Sequence, residues 1–137
     1  MRRSPKPHGL ARLFAALADH TRLRLLNLMN GREVCVCYLV EILKQGQPKI
    51  SRHLAYLRNA GIVSARREGK WMHYSIQPMT DDRSAAILDA TLRSFEVDRE
   101  MQSDLAKLEN ACCRRPGLIS LVGAPLPTRL ETPQHPS

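Results

Sequence analysis

The stretch from residue 47 to residue 76 limits the fold of this chain more than any other feature. It opens on Gln47-Pro48, and proline suits the first turn of a helix, where its missing N–H costs no hydrogen bond. An apolar stripe then recurs at helical spacing in Ile50, Leu54 and Leu57. Asn59-Ala60-Gly61 is a typical end for such a helix. We therefore predict an amphipathic helix that ends at this glycine.

A β-hairpin is predicted directly after that helix. Residues 62–67 and 71–76 are rich in β-formers, and they flank Glu68-Gly69-Lys70, which places a glycine in the turn. After Pro78, apolar residues up to Leu108 return to helical spacing and predict one or two further helices.

Three helices are predicted before this unit. The first carries Leu10, Leu13, Phe14 and Leu17 on one face, and the second begins at an Asp19 N-cap and stops at Asn30-Gly31. The β-branched residues around 34–37 leave the local structure open, but a short third helix is expected to end at Lys44-Gln45-Gly46. Four helices, a hairpin and a final helical region make a mainly α chain with a β-hairpin wing, which is a winged helix-turn-helix.

The second helix of a helix-turn-helix enters the DNA major groove, which is about 12 Å wide. Basic and polar residues on this helix and the wing are therefore the candidate DNA contacts: Gln47, Lys49, Ser51, Arg52, His53, Arg58, Arg66, Arg67, Lys70 and His73. Among them Gln47, Ser51 and His53 are the candidates for base contact, and Arg66, Arg67 and Lys70 for phosphate or minor-groove contact. Arg58, late in the helix, is a candidate for phosphate contact or an intramolecular pair. Only Glu68 opposes this basic strip.

Composition supports a nucleic-acid partner and excludes other classes. The 137 residues carry a net charge of +8, which favours a polyanion, and their number suits one domain. No apolar run is long enough to span a bilayer, and no cleavable signal is evident, so a cytoplasmic protein is expected. An enzyme is disfavoured because the chain has no Cys-x-x-Cys in a βαβ setting, no phosphate-binding glycine loop and no hydrolytic triad signature.

Prolines and charges divide the chain into three parts. Residues 1–8 read as a flexible basic tail, residues 9–110 as the winged helix-turn-helix and dimerisation domain, and residues 111–137 as a proline-rich, partly disordered tail. That tail begins with the adjacent thiols Cys112-Cys113. A second cluster, Cys35-Val36-Cys37, precedes the third helix, and clustered thiols in a reducing compartment more often bind metal or sense redox than form structural disulfides.

Several motifs resemble the ArsR/SmtB family of repressors, and in particular its arsenic-responsive members. They are the Cys-Val-Cys element at 35–37, the run Gln-Pro-Lys-Ile-Ser-Arg-His-Leu at 47–54, and the hairpin at 66–74. The resemblance implies a homodimeric repressor that leaves its operator when trivalent arsenic or antimony binds thiolates, with no resident cofactor. It also implies that the first and last helices form the dimer, through Leu10, Leu13, Ile87, Leu88, Leu92 and Phe95.

The resemblance leaves the ligand set one thiol short. Trivalent arsenic prefers three thiolates, and the family's motif often supplies the third where this chain has Val40. Cys112 or Cys113 is a candidate for that place, and an external thiol or a separate weaker site are the alternatives. Thiol oxidation, or another thiophilic metal such as zinc or cadmium, remains open as the signal.

The spacing of Cys35 and Cys37 suggests a mechanism. Residues two apart on an undistorted α-helix do not face each other, so one ion binding both would have to reshape the start of the third helix. That helix supports the DNA-reading helix.

As a dimer, the protein is expected to bind two half-sites about 34–36 Å apart, with an affinity that falls steeply as salt rises.

Overall fold

A computed structural model describes residues 9–113 and 125–130 of the chain, and the side chains of Cys112 and Cys113 are not among the described groups. The helices are α1 (Gly9–Leu17), α2 (His20–Met29), α3 (Val36–Leu43), α4 (Gln47–Asn59), α5 (Asp82–Ser94) and α6 (Arg99–Cys113), with a 3-10 turn at Phe95–Val97. The strands are β1 (Arg32–Cys35), β2 (Val63–Glu68), β3 (Trp71–Ile76) and β4 (Thr128–Arg129). The predicted winged helix-turn-helix, mainly α with a β-hairpin wing, is confirmed.

Local sequence signals set the helix ends. The Asp19 side chain accepts a hydrogen bond from the Arg22 N–H at 3.0 Å and caps α2 as predicted. α3 ends at Lys44 in the left-handed conformation (φ 53°), which turns the chain into α4. At the end of α4, Gly61 has φ +78°, a value that favours glycine.

Two strands were not predicted. β1 pairs antiparallel with β3, and β4 pairs with the other edge of β1, which gives the sheet order β2-β3-β1-β4. β1 is only four residues long, and its partner lies about forty residues further along the chain, so local periodicity carries little trace of the pairing. The wing is thereby joined directly to the segment that ends in Cys35.

The core is aliphatic, as the low aromatic content requires. Leucines of α2 and α4, including Leu25, Leu26, Leu54 and Leu57, are fully buried together with Val34 of β1. α6 packs on α2 and α3. The carboxylate of Asp104 on α6, 1% exposed, receives two hydrogen bonds from Arg24 on α2 at 2.8 and 3.0 Å.

The expected domain boundaries fall only partly on described residues. Residues 1–8 and most of the segment 111–137 lie outside them. The expected boundary after residue 110 falls inside α6, which continues to Cys113, and residues 128–129 of the expected tail form β4.

Candidate DNA-binding surface and cysteine site

The exposed face of α4 is basic and polar. Ile50, Leu54 and Leu57 anchor the helix in the core, which turns the opposite side outward. Lys49 and Arg52 are exposed there, Gln47 and Arg58 are exposed toward the two ends of the helix, and Ser51 is half-buried. The arrangement suits a helix that enters a groove with its amino-terminal half.

His53 lies between that face and the core, and its contact with bases stays a prediction. Its side chain is 17% exposed and turns toward the start of α2, where Nδ1 lies 3.7 Å from Asp19 Oδ2 and 3.4 Å from an Arg22 nitrogen. Burial lowers the pKa of this imidazole, and nearby cations lower it further against the opposing pull of Asp19. His53 therefore helps to pack α4 on α2.

Arg22 and Tyr56 belong to the surface and were missed from the sequence. Arg22 donates to the carbonyl oxygens of Ala16 at 2.8 Å and Ala15 at 3.0 Å at the end of α1, and its guanidinium lies 4.1 Å from the centre of the Tyr56 ring. Tyr56 itself is 44% exposed. The signal for Tyr56 is present in the sequence, since Lys49, Arg52 and Tyr56 recur at helical spacing on the outer face.

The tip of the wing is basic and exposed. Arg67 and Lys70 both lie on the surface; Arg67 donates to the Gly69 carbonyl at 3.2 Å, and the Lys70 ammonium lies 5.0 Å from the Trp71 ring centre. The contact of these two exposed side chains with phosphate stays a prediction.

The other two predicted wing contacts are placed differently. His73 is 3% exposed, which corrects the prediction that it meets DNA, and its Nε2 lies 3.3 Å from Glu68 Oε1. Arg66 is exposed but forms a bidentate pair with Glu33 of β1, its shortest contact being 2.6 Å. The basic strip is therefore opposed by Glu33 as well as by Glu68, because β1 lies beside the wing.

The cysteine pair lies where β1 meets α3. Cys35 is the last residue of β1 and the N-cap of α3, and Cys37 is in the first turn. The Cys37 thiol donates to the Cys35 sulfur at 3.1 Å. Cys35 has extended backbone (φ −67°, ψ 141°), so the argument from helical spacing is wrong: the two sulfurs already face each other, and α3 need not unwind for one ion to reach both.

This contact separates the acidities of the two thiols. The hydrogen bond from Cys37 lowers the pKa of Cys35 to about 6, with the charge of His73 as a further cause, against the opposing effect of burial. The pKa of Cys37 is raised, first because its proton is held by the Cys35 sulfur. The contact therefore favours the thiolate form of Cys35, and thiolate is the form that binds metal.

The other predicted metal ligands are not placed. Cys112 and Cys113 lie at the end of α6, but their side chains fall outside the described groups. Within the described part of the chain, no three His, Cys, Asp or Glu side chains form a group that could hold a metal ion. In the described part of the chain, the sulfurs of Cys35 and Cys37 lie 3.1 Å apart.

The predicted dimer residues divide into two sets. Leu13, Leu88 and Phe95 are buried within the single chain, at 3, 4 and 5% exposure, so they are corrected as contacts with a second copy. The partly buried residues Leu10, Ile87 and Leu92 remain candidates. None of the helices described here is long and apolar enough to cross a membrane.

Comparisons with known proteins bear on the family. Residues 19–65, which run from the α2 cap into β2, match the family model described as "Bacterial regulatory protein, arsR family". The chain is 51% identical over 107 residues to an arsenic resistance transcriptional regulator, ArsR1, of Pseudomonas putida (strain KT2440), covering 69% of this chain and 84% of the relative. It is 48% identical over 82 residues to the arsenical resistance operon repressor of Escherichia coli (strain K12), covering 59% and 70%.

A solved structure points the same way. The crystal structure of the AntR antimony-specific transcriptional repressor is similar with a TM-score of 0.51 and 31% identity, over 64% of this chain and 77% of that one. The fold, the match to the family model and the large share of the relatives' length that this chain covers all indicate the same family. The chain belongs to the arsR family of bacterial regulatory proteins, and it is a DNA-binding, metal-responsive transcriptional repressor and not an enzyme.

Proposed function

We propose that this protein acts in the cytoplasm as a homodimeric repressor that binds operator DNA and is released when trivalent arsenic or antimony binds Cys35 and Cys37. The observation that carries the proposal is the 3.1 Å contact between the two sulfurs at the start of α3. Sulfurs this close can share one thiophilic ion without a large rearrangement, and soft trivalent arsenic favours thiolate over other protein ligands. Relatives named for arsenic resistance and a neighbour named for antimony support this choice of inducer.

The third thiolate is proposed to come from Cys112 or Cys113, or from a small external thiol. α6 packs on α3, and Ala111 near its end belongs to the same hydrophobic cluster as Cys35. The end of α6 in the same subunit is therefore a reasonable source.

The position of the pair suggests how binding reaches DNA. α3 follows the cysteines directly and is joined to α4 by only three residues, 44–46. An ion that also binds a third thiolate would pull Cys35 and Cys37 toward that ligand and so shift the start of α3, and α4 is packed on α3. The DNA contacts would be Gln47, Lys49, Ser51, Arg52, Tyr56 and Arg58 of α4 with Arg67 and Lys70 of the wing.

The test is fluorescence anisotropy of the protein on DNA from upstream of its own gene, titrated with arsenite. We expect arsenite to weaken wild-type binding at least about tenfold, a coupling of ordinary size for such regulators. Cys35→Ser and Cys37→Ser should bind DNA normally and stay bound. Cys112→Ser and Cys113→Ser, tested singly and together, identify the third ligand. If arsenite leaves wild type on DNA, or releases Cys35→Ser equally well, the proposal is wrong.

Thiol oxidation is a second candidate signal because the same two sulfurs are in contact. A peroxide would take two electrons and two protons from Cys35 and Cys37, forming one disulfide, and would itself be reduced to water. Three results would favour this signal. Peroxide would remove the protein from DNA, the mass of the protein would fall by two hydrogens, and a dithiol would reverse both changes. Zinc and cadmium in parallel titrations test the remaining metals.

A further inference from the structure

A row of three side chains leads from the cysteine site to the wing. In the sheet Cys35 of β1 pairs with His73 of β3, and His73 pairs with Arg66 of β2. Directly paired residues share one face of a sheet, and so do residues two apart on one strand. Glu33, two residues before Cys35, and Glu68, two after Arg66, therefore lie on the same face as this row.

Carboxylates engage all three nitrogens of the Arg66 guanidinium. Nε lies 3.1 and 3.2 Å from the two oxygens of Glu33, and one terminal nitrogen lies 2.6 Å from Glu33 Oε1. The other terminal nitrogen lies 3.6 Å from Glu68 Oε2. The Arg66–Glu33 pair reaches across β3, since β2 and β1 are not neighbours in the sheet.

This geometry indicates that Arg66 has a structural role, since its side chain is held by Glu33 and is not free. Glu33 is only 14% exposed, and its two oxygens lie 2.6 to 3.2 Å from Arg66 nitrogens. A bidentate Arg–carboxylate pair fixes orientation as well as distance. Although the Arg66 side chain is 52% exposed, the Glu33 carboxylate beside it offsets much of the charge that it would present to a phosphate.

We infer that Arg66 and Glu33 are positioning residues, which hold the wing at its DNA-binding angle by tying it to the strand that ends in Cys35. Arg66 is then not a phosphate contact, unlike its neighbour Arg67. The inference rests on the proposed function in one respect. If arsenite binding moves Cys35, that movement would reach the wing through the Arg66–Glu33 pair, in addition to reaching α4 through α3.

The first experiment measures operator affinity as a function of salt for Arg66→Gln, Glu33→Gln and the double variant. Both single variants should bind DNA about three- to tenfold more weakly, and the double variant should bind no more weakly than either one. In all three variants the slope of log K against log salt should equal that of wild type. Arg67→Gln is the matched control, and it should flatten that slope by about 1.8, the value for the two phosphate contacts that a homodimer would lose. Glu96→Gln on the exposed 3-10 turn makes the same charge change as Glu33→Gln and should have little effect.

The sign of the Glu33→Gln effect is decisive, because this variant adds positive charge beside DNA. Tighter binding would mean that Glu33 withholds Arg66 from phosphate, and the inference would be overturned. A slope loss in Arg66→Gln equal to that in Arg67→Gln would overturn it too. Arg66→Lys keeps the charge but not the paired donors, so it should resemble Arg66→Gln, and it serves as a second variant if Glu33→Gln does not fold.

The second experiment repeats the titrations with arsenite. The ratio of affinities without and with arsenite should fall in Arg66→Gln and Glu33→Gln and stay at the wild-type value in Arg67→Gln. An unchanged ratio in the first two variants would refute transmission through the pair. If arsenite fails to release wild type, the proposed function is wrong, while the salt experiment still decides the role of Arg66.

Discussion

The contact between Cys35 and Cys37 has consequences that can be measured one residue at a time. In a chain with Cys112→Ser and Cys113→Ser, ultraviolet absorbance should show one thiolate forming with a midpoint at about pH 6, because the Cys37 S–H stabilises the Cys35 anion. Cys37→Ala removes that donor and leaves a fully buried thiol, since Cys35 is 0% exposed. Its midpoint should therefore rise by more than about two units.

Cys37→Ser is the control for that titration, because its hydroxyl can still donate to the Cys35 sulfur. Its midpoint should lie between those of the parent and Cys37→Ala. An equal midpoint in the parent and Cys37→Ala would show that the low pKa does not come from this hydrogen bond.

A site residue was predictable from the sequence when the residues that fix its geometry lie close to it along the chain. Asp19 was identified as a cap because an N-cap depends only on the next three residues. The burial of His53 and His73 was not predictable, because a histidine is as compatible with a packed face as with an exposed one. The role of Glu33 depends on Arg66, thirty-three residues away, and no local pattern connects the two.

At the scale of elements, the turn between α3 and α4 is strained at one position. Lys44 occupies the left-handed region, where a Cβ is disfavoured by about 1 kcal/mol and glycine is preferred at helix ends. Lys44→Gly should therefore raise the free energy of unfolding by roughly 0.5–1 kcal/mol in urea denaturation. Lys44→Ala keeps the Cβ and should not stabilise. A gain of equal size in the alanine variant would indicate relief of charge repulsion instead.

The helices and the hairpin were predictable because each has a complete local signature of apolar spacing and caps. β1 was not, since four residues with mixed exposure do not define a strand until β3 is beside them. This one omission explains the error about the thiols. With β1 in place, Cys35 ends a strand, and its sulfur is free to point at Cys37.

At the scale of the whole molecule, α6 is fixed to α2 by polar contacts along its first two turns. Arg24 holds the buried Asp104, the Asn27 amide donates to the Met101 carbonyl at 2.8 Å, and His20 pairs with Glu100. An element that carries two of the four cysteines at its end is thereby joined rigidly to the helix-turn-helix. A ligand bound at the end of α6 would therefore also act on α2, because the two helices are held together.

Asp104→Asn tests this connection. It keeps the shape of the side chain but leaves the charge of Arg24, only 13% exposed, without its buried partner, so unfolding should become easier by about 2–4 kcal/mol. Asp89→Asn removes an exposed carboxylate paired with Arg93 four residues on and should cost less than about 0.5 kcal/mol. Urea denaturation at several protein concentrations measures both, because the stability of a dimer depends on concentration. Equal effects in the two variants would mean that α6 is not held to α2 by this pair.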